Sequence, residues 1–188
     1  MATAELVVLA DEAGNPIGTA LKSEVHTENT PLHLAFSCYV VDTEGNLLIT
    51  RRALEKKTWP GVWTNSACGH LAPGETAQQA AARRVPHEIG VDPGNLVNLE
   101  MVLPDFRYRA VDSHGIVEWE ICPVFVARLA TDSVLTPETE EIDQMAWVQP
   151  REFFTAVDAA PFAFSPWMVD QLAHPQLREK LNEIAARA

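Results

Sequence analysis

The sequence predicts an α/β (α+β) fold: helices layered on a central mixed sheet, in one domain spanning residues 1–188. Three observations predict it. Short β-rich apolar runs bounded by turn residues recur along the chain, one alanine-rich helix interrupts them at 75–89, and the tail from about Pro150 is helical in pattern. Strands and helices mixed in this order bury their apolar faces as layers against one sheet. With 188 residues, 47% hydrophobic and 21% charged, the chain can bury a core of its own. No repeat and no long Gly/Ser/Pro linker marks the start of a second domain.

Residues 5–10 (Glu-Leu-Val-Val-Leu-Ala) form a strand closed by the turn Asp11 to Pro16, and residues 17–20 return beside it. The polar stretch Lys22 to Pro31 is a loop. Leu32 to Val41 is β-rich, and Asp42-Thr-Glu-Gly-Asn46 makes a hairpin turn into Leu47 to Thr50. Trp59-Pro-Gly-Val-Trp63 and the short segment Thr64 to His70 follow. The helix at 75–89 rests on alanine, the best helix former. Pro86 lacks a backbone donor and is expected to kink that helix or end it early. Further strands are expected near 97–109, 116–128 and 142–148, and Pro161, Pro166 and Pro175 interrupt the helical tail.

Charge excludes some classes of partner. Fourteen Lys+Arg against 26 Asp+Glu leave a net charge of -12. Such a chain has no excess of cations to displace phosphate counterions of nucleic acid or to dock on an anionic membrane. No apolar run is long enough to span a bilayer, and the N-terminus lacks the basic segment of a secretory signal. Cys38, Cys68 and Cys122 are odd in number and form no C-x-x-C pair, which fits free thiols in a reducing cytosol. The expectation is a cytoplasmic monomer that binds neither nucleic acid nor membrane.

The strongest local signal reads Gly69-x5-Glu75-x7-Arg83-Arg84-Val85-Pro86-His87-Glu88-Ile89-Gly90-Val91. It resembles the Nudix box, G-x5-E-x7-R-E-U-x-E-E-x-G-U with U apolar. In that family glutamates on successive turns of one helix hold a divalent cation against a diphosphate. Gly69, Glu75, Arg83, Glu88, Gly90 and Val91 match, whereas Arg84 and His87 stand where the family has glutamates. The box is therefore degenerate. It implies a Nudix-like α/β/α sandwich and keeps one metal carboxylate, Glu88, but speaks against hydrolysis of the diphosphate.

Two pairs at spacing two lie in Ser66-Ala-Cys-Gly-His70 and Val117-Glu-Trp-Glu-Ile121. In a strand, residues i and i+2 face one side, so Cys68 with His70, and Glu118 with Glu120, each project into one space. Paired carboxylates repel unless a cation or shared proton relieves them; by themselves Glu118 and Glu120 also read as a solvated strand face. His26 and His33 join His70 as three imidazoles, and with Glu118 and Glu120 they make a set suited to zinc, manganese or magnesium. Spacing alone does not bring them together. His87, His114 and His174 read as ordinary surface or core histidines.

The stretches His26-Thr-Glu-Asn-Thr-Pro-Leu-His33-Leu-Ala-Phe-Ser37, Thr50-Arg-Arg-Ala-Leu-Glu-Lys-Lys57, Trp59-Pro-Gly-Val-Trp-Thr-Asn-Ser-Ala-Cys-Gly-His70, Pro104-Asp-Phe-Arg-Tyr-Arg-Ala110, Gly115-Ile-Val-Glu-Trp-Glu-Ile-Cys-Pro-Val-Phe125 and Phe164-Ser-Pro-Trp-Met168 together resemble the type 1 isopentenyl-diphosphate isomerases, divergent Nudix-fold enzymes. The resemblance implies reversible interconversion of isopentenyl and dimethylallyl diphosphate in isoprenoid biosynthesis, with a small allylic or homoallylic diphosphate as partner. It implies Cys68 and Glu120 as catalytic groups on opposite faces of the substrate. His26, His33, His70, Glu118 and Glu120 would hold one tightly bound divalent metal, Zn2+, Mn2+ or Mg2+. Glu88 and the Cys68 carbonyl would hold a Mg2+ that arrives with the diphosphate. Lys22, Arg52, Lys56 and Arg83 would face the diphosphate.

Protonating an unactivated alkene makes a tertiary carbocation, so a positioned acid and stabilisation of positive charge are both needed. Tyr108 would orient or relay to Glu120, and Trp167 would turn its π face to the cation; both also read as core aromatics. The doublets Arg51-Arg52 and Lys56-Lys57 suit a diphosphate, with one member of each solvated. Cys38 and Cys122 read as packed hydrophobes. Cys68, beside the metal and magnesium, is expected to be more acidic than an ordinary thiol. A Nudix hydrolase would need glutamates at Arg84 and His87, and a non-catalytic Nudix module would leave Cys68 and Glu120 without a role.

Overall fold

A computed structural model describes residues 5–187; the ends of the expected domain, and the first residues of the N-terminal reading, lie outside the described residues. In chain order the strands and helices are β1 (Leu6–Ala10), β2 (Pro16–Leu21), α1 (Lys22–Val25), β3 (His33–Val41), β4 (Leu47–Arg52), β5 (Trp63–Thr64), β6 (Ala67–His70), α2 (Ala77–Ile89), β7 (Leu96–Leu103), β8 (Arg107–Val111), β9 (Val117–Ile121), β10 (Val124–Leu129), β11 (Ile142–Val148), α3 (Pro150–Ala159), α4 (Pro166–Leu172) and α5 (Pro175–Ala185).

Strand β3 organises the sheet. It runs antiparallel to β6, with Ser37 opposite Cys68, and parallel to β10, with Cys38 opposite Phe125. Its first residue, His33, lies opposite Leu9 of β1 and Glu120 of β9, and its last, Val41, opposite Leu47 of β4. Outer strands extend both ends: β11 and β5 on β4, β7 on β10, β8 on β9 and β2 on β1. The expected mixed sheet is present.

The period of two in β3 separates two cores. Phe36, Cys38 and Val40 point to one side and pack with Ala80, Ala81, Val85 and Ile89 of α2. Ala35, Tyr39 and Val41 point to the other and pack with Phe153, Val157, Trp167, Met168 and Leu177 of the C-terminal helices. Strand β10 divides the same way, Phe125 and Ala127 against Val124 and Val126. The layers are therefore helix, sheet, helix. Each fully buried Leu or Phe contributes about 1.5–3 kcal/mol, which locks the sheet that carries the site.

The sequence reading needs correction at four places. Helix α2 does not stop at Pro86: it runs to Ile89 and ends on Gly90 at φ 68°. One lost donor is outweighed by a capping box at Thr76 and Gln79 and by burial of Val85 and Ile89 on both sides of the proline. Only glycine fits the cap, because a Cβ on Gly90 would lie 1.7 Å from the Thr136 carbonyl oxygen. Residues 97–109 hold two strands, β7 and β8, split by the turn at Pro104-Asp105, and 116–128 hold β9 and β10, split at Pro123. The stretch from Lys22 opens with the short helix α1, tied back to β1 by the Lys22 N–H bond to the Glu5 carbonyl (2.9 Å). The tail, by contrast, is interrupted at the expected prolines: Pro166 and Pro175, like Pro150, each take the first helical position, where a missing N–H costs nothing.

Candidate active site and metal centre

Register around β3 assembles the site. Strand β6 sets Cys68 opposite Ser37 and His70 opposite Ala35. On the other side β9 sets Glu120 opposite His33, and β8 sets Tyr108 opposite Glu120. The i, i+2 rule holds for both pairs: Cys68, His70, Glu118 and Glu120 all line one cavity of about 190 Å³, with Lys22, His26, Arg52, Lys56 and Tyr108. His26 comes from the loop after α1. That loop is pinned by a bond from the Thr27 N–H to Thr30 Oγ1 (2.8 Å) and one from the Val117 N–H to the Thr27 carbonyl (2.9 Å).

The three imidazoles meet. Ring centroids of His26, His33 and His70 are 5.0 to 5.4 Å apart, and one donor atom from each, with one from Glu120, all lie within 4.8 Å of one another. Glu120 Oε1 is 3.3 Å from Nε2 of both His33 and His70. His33 Nδ1 donates to the Pro31 carbonyl (2.9 Å), which leaves its Nε2 lone pair facing the cluster. Nε2 of His26, Nε2 of His33 and Nδ1 of His70 are buried without a hydrogen bond. Buried polar atoms without partners are costly, and this imidazole and carboxylate donor set fits a divalent cation. Burial and the two neighbouring rings push the His26 pKa down to about 3, so its ring is neutral as a ligand must be. Burial also lowers His70. Burial opposes the charged form of His33 too, but Glu120 outweighs it and the net shift is upward. Burial would raise Glu120; His33 and His70 outweigh that and hold it well below the ordinary carboxylate range.

Glu118 stands beside this cluster and not within the converging four. Its Oε2 accepts from the Tyr108 hydroxyl (2.6 Å), and its Oε1 accepts from Thr58 Oγ1 and lies 3.8 Å from Arg52. The same Tyr108 hydroxyl is 2.9 Å from Glu120 Oε2. One hydroxyl has one proton to give, so the phenol couples the two carboxylates but satisfies only one at a time. Burial raises the Tyr108 pKa, which keeps that proton in place.

The acidity expected of Cys68 depends on a metal and magnesium beside it. From the protein's own groups, burial pushes its pKa up to about 12. Arg52, 3.9 Å from Sγ, pulls the other way, and Glu88, Glu120 and Glu118 add to the upward shift. Cys38 and Cys122 are fully buried in the two apolar cores, as packed hydrophobes should be, with Cys122 Sγ also 3.4 Å from Ser37 Oγ.

Among the cations expected against a diphosphate, Lys22, Arg52 and Lys56 line the cavity and Arg83 does not. Arg83 points outward and makes a bidentate pair with Glu75 (2.6 and 2.7 Å). Its neighbour Arg84 lines the cavity instead and bonds Glu88 (2.8 Å) and Glu141 (2.9 Å). One residue along a helix is a turn of about 100°, so only one of two successive arginines can face the sheet. His87, the other departure from the box, is exposed, as are His114 and His174. Glu88 is 3% exposed beneath Gly69, where a Cβ would stand 3.3 Å from its Oε1; it borders a recess shared with Cys68 and Glu141. Two carboxylates meeting at one Arg84 nitrogen form a position that suits a divalent cation. Trp167 is 1% exposed and does not line the cavity; Arg52 lies over its ring at 5.2 Å and Tyr108 stacks at 5.6 Å. Thr58 and Glu141, absent from the sequence reading, also line the cavity. No helix among the described residues is long and apolar enough to cross a membrane.

Comparison with known proteins adds an independent line. The NUDIX domain family matches residues 31–168. An isopentenyl-diphosphate Delta-isomerase of Corynebacterium diphtheriae is 70% identical over 178 residues, covering 95% of this chain and 97% of that protein. Proteins of the same name from Corynebacterium efficiens (60% identity; 95% and 94% covered) and Kocuria rhizophila (55%; 96% and 97%) are also similar. Among solved structures, DR0079 from Deinococcus radiodurans superposes with TM-score 0.68 at 19% identity (90% of this chain, 98% of that one). A MutT protein from Methanosarcina mazei Go1 superposes with TM-score 0.56 at 17% identity (82% and 95%). Those two likenesses concern the fold alone.

Proposed function

We infer the activity from the family: the chain belongs to the NUDIX family, among the isopentenyl-diphosphate Delta-isomerases, and it interconverts isopentenyl and dimethylallyl diphosphate in isoprenoid biosynthesis. The observation that carries this beyond likeness is the single cavity shared by Cys68, Glu120, His26 and His70, with His33 converging on the same cluster from beneath. A hydrolase reading has less support, since the two box positions that would carry further carboxylates hold Arg84, engaged with Glu88, and the exposed His87.

The reaction moves a proton onto one carbon of an alkene and removes another two carbons away. Cys68 and Glu120 would be the two groups that give and take these protons on opposite faces of the substrate, one in its acid and one in its base form, with the roles exchanged on reversal. The Tyr108 hydroxyl, 2.9 Å from Glu120 Oε2, would orient that carboxylate. His26, His33, His70 and Glu120, with Glu118 adjoining, would hold a zinc, manganese or magnesium ion, whose charge would fix the aim of Glu120 and alter its proton affinity. Glu88 and the Cys68 carbonyl would hold magnesium accompanying the diphosphate, whose charge Lys22, Arg52, Lys56 and Arg84 would meet. Trp167 supports Arg52 from behind, and its π face acts through that guanidinium. The protein works as one cytoplasmic domain over residues 1–188, as a monomer, without nucleic acid or membrane. The test is incubation with isopentenyl diphosphate and magnesium, following dimethylallyl diphosphate and released phosphate separately. Isomer without phosphate is expected; phosphate without isomer would favour hydrolysis.

A further inference from the structure

The cationic wall of the cavity converges on one carboxylate. Glu141 Oε1 lies 2.9 Å from Arg84 and 3.6 Å from Lys22, and its Oε2 is bonded by Lys56 Nζ. Its backbone is held on both sides, the N–H by the Glu138 carbonyl (3.0 Å) and the carbonyl by the Ala53 N–H (3.0 Å). The carboxylate is therefore fixed in place just before β11, with its side chain only 14% exposed. Two further carboxylates complete the group: Glu5, 2.7 Å from Lys22 and 3.9 Å from Arg84, and Glu88, 2.8 Å from Arg84. Three cations thus face three carboxylates. Only Glu141 touches all three cations, and Glu5 is 58% exposed.

A group balanced in this way attracts an incoming anion weakly, because each ammonium or guanidinium already has a charge-assisted bond to lose. A diphosphate must compete with Glu141 for Lys22, Lys56 and Arg84. A divalent cation that engages the carboxylates frees those three donors together. We propose that Glu141 is a positioning residue of the diphosphate wall: it holds Lys22, Lys56 and Arg84 as one preorganised cluster and makes capture of a diphosphate conditional on a divalent cation. The proposal rests on the diphosphate reading of the cavity.

The probe is inorganic diphosphate, titrated calorimetrically into the protein as purified, first without and then with saturating magnesium. The native protein is expected to bind at least about tenfold more tightly with magnesium. Glu141→Gln keeps the shape and removes the charge. It is expected to bind metal-free diphosphate about tenfold more tightly than the native protein, one lost charged hydrogen bond being worth about that factor, and to lose most of the gain from magnesium. Glu141→Asp keeps the charge and is expected to restore the native metal dependence, which a merely structural role would not produce. Equal affinity of native protein and Glu141→Gln without magnesium overturns the proposal, as do identical shifts in the Gln and Asp variants. Native affinity that ignores magnesium overturns it without any variant. Absence of diphosphate binding under every condition overturns the reading of the cavity along with it.

Discussion

At one end of the cavity, His26, His33 and His70 crowd around Glu120 with buried ring nitrogens that no hydrogen bond satisfies. At the other, Lys22, Lys56 and Arg84 each have a carboxylate within contact distance. The histidine end has donors arranged for a cation it must gain. The lysine and arginine end has its charges compensated internally and must be opened by exchange. The difference lies in the side chains: imidazoles with Glu120 among them can crowd with little net repulsion, whereas cations so close require an anion for each. The proposed mechanism assigns chemistry to the first region and capture of the charged group to the second.

The largest effect is expected where the two regions meet the substrate. Cys68→Ala and Glu120→Gln should each lower turnover by about a hundredfold to ten-thousandfold, with circular dichroism and melting close to native. Near-native turnover in Cys68→Ala would remove the thiol from the mechanism. Metal analysis sharpens the contrast next. Protein purified without added metal should carry about one tightly bound ion per chain, and His70→Ala should weaken its retention by at least about tenfold. Glu118→Gln should keep that ion; losing it as His70→Ala does would return Glu118 to the innermost ligands.

The capture region should respond in binding more than in chemistry. Arg84→Gln should raise KM for isopentenyl diphosphate about tenfold, and Arg83→Gln by less than about twofold, since only Arg84 faces the cavity. Equal effects would mean that the helix presents both arginines. The smallest effect is on stability. Burial alone would raise the Glu141 pKa, but Lys56, Lys22 and Arg84 outweigh it and hold it below the ordinary 4.5. A depressed carboxylate contributes stability that is present above its unfolded value and is lost as pH falls through its folded one. The urea midpoints of native protein and Glu141→Gln should therefore differ most above pH 4.5 and draw together below it; a gap that widens in acid would contradict the sign.

The layered fold was legible because period two in β3 and the alanine-rich run of α2 need no long-range information. The strand pairs Cys68/His70 and Glu118/Glu120 were legible for the same reason, as their common face follows from spacing alone. The Nudix-box spacing found Glu88 and Gly90, but the resemblance to the isomerases gave Arg83 a place in the cavity that helix phase gives to Arg84. Glu141 carried no local signal at all; it lies in a run of acidic residues, and only its position beside three distant cations marks it out.

The sequence by itself determined which residue types could do this chemistry, which side of each strand they share and where the tail helices begin. These follow from spacing, backbone geometry and the fixed φ of proline. Tertiary structure alone decided that His26, His33, His70 and Glu120 converge, that Cys68 shares their cavity and that the cations are held by Glu141. Convergence depends on contacts between segments far apart in the chain. A proton's affinity depends on burial and on the sum of nearby charges, and neither is written in the residues beside it.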